Sequence, residues 1–219
     1  MLVLIKNVNE STAGGFFMNL NGSLIYKLIL ERYLLYLKNQ KYQPYDAPAL
    51  LLEARTRMPK SDDIVIRDVR VARRFIEFDV SVGKQEVLDR IIFLNALSTI
   101  AEFDSHEKIM EEDLSKEEAI ERARVLFNNE RFWKCHEVLE NVWKQSEGEE
   151  KRLLNGVILV AAAFVHFQKG ENETCIGILR RAHDKIKSSQ GEYYRIKFDL
   201  LDKNLKNIID TGTIIPLRI

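Results

Sequence analysis

Residues 131–145 read RFWKCHEVLENVWKQ, and they carry the clearest structural signal in the chain. At about 100° per residue, the spacing of the apolar residues predicts an amphipathic helix over this range. Its apolar side consists of Phe132, Cys135, Leu139, Val142 and Trp143. His136 falls on the same buried side, and Glu140 lies one turn further along, at its rim. The helix therefore turns two hydrophilic groups toward the interior of the protein.

A second helix, predicted from Glu150 to Lys169, is apolar nearly all round, so neighbours must cover it on most sides. Asn155 and His166 mark the ends of a polar stripe along it. An unpaired buried polar group costs about 1–3 kcal/mol. We therefore expect this stripe to face His136 and Glu140.

Three interpretations of this polar cluster stay open. The first is a structural network that binds nothing. The second is a pocket for a small ligand or a partner, and its expected residues are His136, Glu140, Trp143, Arg152, Asn155 and His166. The third is a divalent metal site formed by His136, Glu140 and His166, in which Glu137 is the candidate base of a hydrolase.

The rest of the second half is also helical by pattern. Ser115 and Glu118 form a capping box that opens a helix ending near Phe127. Gly170 is placed for a left-handed cap. Two further helices are predicted, from Asn172 to Lys187 and from Tyr193 to Ile209. The five short-linked helices predict an antiparallel all-α domain over residues 112–219.

The first half mixes strand and helix signals and predicts a small α/β domain over residues 1–105, so the fold class is α+β. The expected order is β-α-β-β-α. Its elements are a strand at Leu2–Val8, a helix from Asn21 or Ser23 to Leu37, a hairpin at about 64–82, and a helix from Lys84 to Phe103; a short helix at Ala49–Arg55 is also expected. Asn21-Gly22 is also a strong hairpin turn signal, so a hairpin is the alternative to the first helix.

Residues 64–82 carry the signals of the hairpin. Ile76, Phe78, Val80 and Val82 alternate with Glu77, Asp79 and Ser81. This alternation predicts a half-buried strand. A change of phase in the preceding strand predicts a bulge near Arg67-Asp68, and a turn is expected near Ala72-Arg73.

The composition excludes several classes of protein. Hydrophobic residues make up 46% of the chain, and the 33 basic and 33 acidic residues balance. These values exclude a disordered chain and a dedicated nucleic-acid binder. The hairpin region nevertheless carries seven basic residues, which could contact phosphates: Arg55, Arg57, Lys60, Arg67, Arg70, Arg73 and Arg74. A solvated, edge-protecting strand is the favoured interpretation.

The cysteines and the N-terminus indicate the compartment. Cys135 and Cys175 are isolated in apolar segments, which predicts buried free thiols rather than a disulfide framework. Residues 1–6 lack the basic start of a signal peptide. The run 153–167 is shorter than the roughly 20 apolar residues of a membrane span. We therefore expect a cytoplasmic protein without a membrane segment.

Residues 127–143, FNNERFWKCHEVLENVW, resemble the signature of the family called domain of unknown function 309. The similarity continues through Arg152, the segment LNGVIL at 154–159, His166 and Gly170, and it covers about residues 115–185. Asn155 and Leu159 stand where the family pattern has glutamines. The resemblance implies an all-helical fold and no established activity.

These observations favour a non-enzymatic binding module whose partner is a small ligand or a protein. In this view the α+β domain adds an interface, and a homodimer stays open. The first alternative is a metal-dependent hydrolase that uses His136, Glu140 and His166. The second is contact with nucleic acid through the basic hairpin.

Overall fold

The computed structural model describes residues 16–18, 24–26, 30–58, 64–83, 88, 96–110, 112–187 and 189–219. These residues form an α+β structure in which a four-stranded antiparallel sheet precedes a group of helices. Within the described parts of the chain, no helix is both long and apolar enough to cross a bilayer.

The first half is built around the four-stranded sheet. Its elements are β1 (Phe16–Met18), β2 (Leu24–Tyr26), β3 (Glu31–Lys38), α1 (Ala47–Arg57), β4 (Ile64–Val71), β5 (Phe75–Val82) and β6 (Phe103–Lys108). The strand order is β4-β5-β3-β6, and β1 and β2 pair separately. The short helix expected at Ala49–Arg55 is confirmed as α1. Strand β6 continues to Lys108, past the predicted end of the first domain at residue 105.

The predicted helix from Asn21 or Ser23 to Leu37 is wrong. Its second half is strand β3, which pairs with both β5 and β6. The five residues 33–37 are all buried, because β3 is covered on both faces. A continuous apolar run of this kind occurs both in buried strands and in buried helices, so its periodicity does not separate the two. The hairpin alternative was the better prediction, since β1 and β2 flank Asn21-Gly22.

Two other predicted elements fall largely outside the described residues. The strand at Leu2–Val8 lies there entirely. Eleven of the twenty residues of the helix predicted from Lys84 to Phe103 also lie there. Its described end contradicts the prediction, because residues 96–100 form a turn and Phe103 begins β6.

The hairpin at 64–82 is confirmed, and so are its bulge and its turn. The register shifts between Ile66 and Asp68, where the bulge was expected. The Ala72 N–H donates to the Phe75 carbonyl at 2.9 Å and closes the turn. The expectation that β5 is half-buried is wrong, however, because Glu77 and Asp79 are only 2% and 1% exposed. The apolar face of β5 packs on α1, whereas its polar face is covered by the helices of the second half.

The second half is mainly helical. It contains α2 (Lys116–Asn128), α3 (Phe132–Gln145), α4 (Gly148–Gln168), α5 (Asn172–Ile186), the short strands β7 (Glu192–Tyr193) and β8 (Ile196–Lys197), and α6 (Phe198–Thr211). The Ser115 capping box is present, and Gly170 has a φ of +79°. Cys135 and Cys175 are free and buried, as predicted, and burial raises the pKa of the Cys175 thiol to about 12.

The last helix begins later than predicted. Residues 192–197 form a tight hairpin in which Tyr194 and Arg195 have φ values of 45° and 62°. The Tyr193 hydroxyl donates to Glu150, and the Tyr194 hydroxyl donates to Glu117 at 3.0 Å. These contacts with α4 and α2 hold residues 193–197 out of the helix that their apolar spacing predicts.

Gly156 allows α4 and α5 to approach closely, and a substitution there tests this packing. A Cβ atom at Gly156 would lie far inside van der Waals contact with Cγ2 of the buried Ile186. We expect Gly156→Ala to lower the free energy of unfolding by about 1–3 kcal/mol, measured by denaturant titration. Gly177→Ala in α5 is the matched control, because nothing lies within 4 Å of its added Cβ. It should raise stability by up to about 1 kcal/mol; equal effects of the two substitutions would contradict the prediction.

Candidate functional site

The polar face of the sheet carries a buried cluster of charges. The guanidinium of Arg70 pairs with Glu77 and, at 3.4 Å, with Asp79. Arg32 donates to Asp79 at 2.8 Å. Burial by itself would lower the pKa of Arg70, but the attraction of Glu77 and Asp79 outweighs burial and raises it. Each buried carboxylate of the cluster therefore lies against at least one guanidinium group.

Trp133 of α3 covers this charge cluster from the helical side. Its ring centroid lies 4.7 Å from Cζ of Arg32 and 5.3 Å from Cζ of Arg70. A guanidinium at this distance from an indole ring makes a favourable cation–π contact. The cluster and Trp133 together join the sheet to α3.

Glu130 makes a second connection between the sheet and the helices. Its carboxylate pairs with the Arg73 guanidinium and accepts from the Arg73 N–H at 2.9 Å. The buried Gln168 side chain donates to the Glu130 carbonyl at 2.8 Å. Glu130 has a φ of 62°, which is rare for a residue with a side chain. Its contacts with two elements hold the turn between α2 and α3 in this conformation.

A groove runs along the outer side of α3. We call it the α3 groove; its volume is about 410 Å³, and its walls are α3 and residues from 107–110 and 112–116. Leu34, Ala119 and Val142 give it an apolar floor and are at most 6% exposed. Met110 lies beside it and is 69% exposed. The groove has the size of a small-molecule site.

The rim of the α3 groove consists of charges that are already paired. Lys134 lies 3.1 Å from both Glu107 and Glu112. The Tyr36 hydroxyl donates to Glu107 at 2.8 Å. Burial raises the pKa of Glu107, but the hydrogen bonds from Tyr36 and Lys134 outweigh burial, so its pKa lies below the usual value. The rim therefore offers a ligand little uncompensated charge.

The structure places His136 and Glu140 together, as their spacing predicted. His136 Nε2 lies 3.6 Å from Glu140, and Nδ1 lies 3.3 Å from Glu137. The hydrogen bond to His136 lowers the pKa of Glu137. Glu137 and Glu140 both border the α3 groove.

The expected residues of α4 make other contacts. His166 pairs with Glu171, and Arg152 pairs with Glu149 and donates to the Ser189 hydroxyl at 2.7 Å. Among the residues that the structure describes, no hydrogen bond or ion pair joins the His136–Glu140 pair to Asn155 or His166. Asn155 is half-buried.

Trp143, the remaining expected residue of the pocket, contacts Lys151. The Trp143 ring lies 5.1 Å from Nζ of Lys151. Over the described ranges, no group of three or more His, Cys, Asp or Glu side chains is arranged to hold a metal ion. The role of the predicted residues in binding a ligand stays a prediction.

Most of the basic residues of the hairpin region are used inside the protein. Arg55 donates to the Ile66 carbonyl at 2.9 Å, Arg67 to the Ser81 hydroxyl at 2.6 Å, and Arg57 to Glu53 at 2.9 Å. Arg70 and Arg73 are engaged with the carboxylates described above. Lys60 lies outside the described residues. Of the other six, these contacts leave Arg74, at the tip of the hairpin, with an exposed side chain.

The sequence did not identify Trp133 and Lys134 as functional residues, nor the charge cluster of the sheet. One signal for the cluster was available. The predicted hairpin places Arg70 of β4 next to Glu77 and Asp79 of β5 on one face of the sheet. These charges form a buried cluster once another element packs over that face. Nothing in the local pattern shows that a helix provides this cover.

The comparisons with known proteins concern the helical part of the chain. The family model described as domain of unknown function (DUF309) matches residues 120–177. A conserved hypothetical protein from Thermus thermophilus has 30% sequence identity and a TM-score of 0.37; the match covers 41% of this chain and 94% of that one. No curated protein matches. Residues 120–177, from α2 into α5, belong to the DUF309 family of uncharacterised proteins.

Proposed function

We propose that this protein is a non-enzymatic binding module and that the α3 groove holds its ligand. The observation that carries the proposal is the groove itself, which has a volume of about 410 Å³ and an apolar floor. It is bordered by exposed Met110 and by Leu114, which is 36% exposed. Exposed apolar side chains beside an apolar cavity are typical of binding sites.

The chemistry of the groove favours a mainly apolar ligand. Lys134, Glu107 and Glu112 satisfy one another, and Glu140 has Lys144 and His136 nearby. A charged ligand would have to displace these pairs. An apolar group would gain about 25 cal/mol per Å² of buried surface without disturbing them.

A groove-filling substitution tests this proposal. The probe is the uncharged N-phenyl-1-naphthylamine, whose fluorescence rises in apolar surroundings. We expect saturable binding to the unmodified chain. For Asn141→Trp the dissociation constant should be larger by roughly tenfold or more, because each 1.4 kcal/mol of lost binding free energy lowers the affinity tenfold. Asn141 is exposed on the wall of the groove.

The matched control is Asn207→Trp, which places the same side chain at an exposed position of α6. It should bind the probe as the unmodified chain does. Absence of saturable binding, or equal loss in the two variants, would reject the α3 groove as the binding site.

The two alternatives have less support. A metal-dependent hydrolase would need His136, Glu140 and His166 to share one ion, whereas His136 contacts carboxylates of its own helix and His166 contacts Glu171. Nucleic-acid contact through the hairpin would need unpaired basic side chains, whereas most of the described ones in this region are bonded within the protein. The cytoplasmic location and a homodimer stay predictions.

A further inference from the structure

We propose a second site, separate from the α3 groove, that binds a small organic molecule carrying more than one phosphate group. It consists of two adjoining cavities of about 370 and 330 Å³ at the junction of the hairpin tip, the end of α2 and the final residues of the chain. Arg74, Phe75 and Asn129 line both cavities, so the two form one continuous basic groove.

The charge of the basic groove differs from that of the whole chain. Basic and acidic residues balance over the sequence, yet this groove is lined by six basic side chains and only two acidic ones. The basic ones are Lys38, Arg73, Arg74, Arg122, Arg131 and Arg218; the acidic ones are Asp104 and Glu130. A concave surface with an excess of one charge attracts ligands of the opposite charge.

Two of these cations have no internal partner. Within the described part of the chain, the side chains of Arg74 and Arg218 make no hydrogen bond or ion pair. Each of the other four has an acidic partner: Lys38 pairs with Glu102, Arg73 with Glu130, Arg122 with Glu112 and Arg131 with Glu107. Arginine presents a planar fork of donors that matches the oxygens of a phosphate group. Both free forks are therefore available to a ligand.

Asn128 holds the backbone next to Arg218 in place. The Asn128 amide donates to the Ile219 carbonyl at 2.9 Å and accepts from the Ile219 N–H at 2.9 Å. This paired contact anchors the chain next to Arg218 against the end of α2. The two arginines thus come from distant parts of the sequence and border the same cavity.

The lining also indicates the class of the ligand. Arg74 and Arg218 are two separate guanidinium groups without an acidic partner, so a ligand that pairs with both carries at least two anionic groups. Leu37, Phe75 and Leu126 give one cavity an apolar surface that suits a ring. A compact phosphate ester such as a nucleoside diphosphate has both features, and it fits the combined size of the site.

Calorimetry of the full chain at low salt tests the proposal, with ADP and inorganic pyrophosphate as probes. We expect saturable binding of both and a loss of roughly tenfold or more in affinity when Arg74→Glu and Arg218→Glu are combined, because a hydrogen bond to a charged group commonly contributes a tenfold factor or more. Both residues are exposed, so the variant should keep the thermal midpoint of the unmodified chain.

Lys203→Glu with Lys206→Glu is the matched control, since it makes the same change of charge at exposed positions of α6. Retained affinity in this control supports the site; equal loss in both variants, or no saturable binding of either probe, overturns it. A single-stranded oligonucleotide that binds more tightly than ADP and depends on the same arginines would assign the groove to a nucleic-acid backbone and overturn the small-molecule assignment. Asn141→Trp should bind ADP normally, which separates this site from the α3 groove.

Discussion

Replacing Arg70 by methionine is expected to lower the free energy of unfolding by roughly 3–5 kcal/mol, because it leaves buried carboxylates without their cation. Arg70 is 2% exposed and is the ion-pair partner of Glu77. One oxygen of Glu77, Oε2, already has no hydrogen-bond partner among the described residues. The loss would appear as a lower midpoint in denaturant titrations.

Two further variants show whether the loss comes from the unpaired charge. Arg67→Met removes a neighbouring, exposed arginine of the same strand that makes a hydrogen bond to Ser81, and it should cost about 1 kcal/mol or less. Arg70→Met combined with Glu77→Met removes both partners and should recover most of the loss. If Arg67→Met were as damaging as Arg70→Met, the buried cluster would not have the role assigned to it.

The second large effect is expected at Gly170, which follows α4 and lies against the backbone of residues 44–45. Gly170 has a φ of +79°, and an added Cβ would lie 2.9 Å from the Pro44 carbonyl oxygen and 3.1 Å from Cα of Tyr45. Both contacts are with backbone atoms, which cannot rotate away. We expect Gly170→Ala to lower the free energy of unfolding by about 2–4 kcal/mol, the sum of conformational strain and overpacking.

Gly191→Ala separates these two causes. Gly191 has the same φ of +79°, but nothing lies within 4 Å of its added Cβ. It should lose only the roughly 1–2 kcal/mol that a left-handed conformation costs a residue with a side chain. A difference between the two variants in denaturant titrations measures the contact of Gly170 with residues 44–45. Equal losses in the two variants would mean that residues 44–45 move aside without lowering the free energy of unfolding.

The helices of the second half were predictable because their signals are local. The capping box at Ser115 and the left-handed glycine at Gly170 fix where helices begin and end through backbone contacts within a few residues. The bulge and turn of the β4–β5 hairpin are of the same kind. The pairing of His136 with Glu140 also follows from helical spacing alone.

The misassigned elements depend on contacts with distant residues. Strand β3 shows no alternation because β5, β6 and the layers above and below the sheet bury residues 33–37 together. Residues 193–197 leave the expected helix because Tyr193 and Tyr194 bond to Glu150 and Glu117. The periodicity of a segment indicates which side chains share a face, but it does not indicate which other element packs against that face.

The amino-acid sequence by itself determined the α+β class, the helix ends marked by Ser115 and Gly170, the hairpin and the family of residues 120–177. Tertiary structure alone decided that the polar face of β5 is buried beneath Trp133 and that Arg74 and Arg218 border one cavity. The physical reason is the range of the interactions. Helix caps, turns and amphipathic periodicity act over a few residues, whereas the cover of a polar face and the convergence of two arginines require chain segments far apart in sequence to pack together.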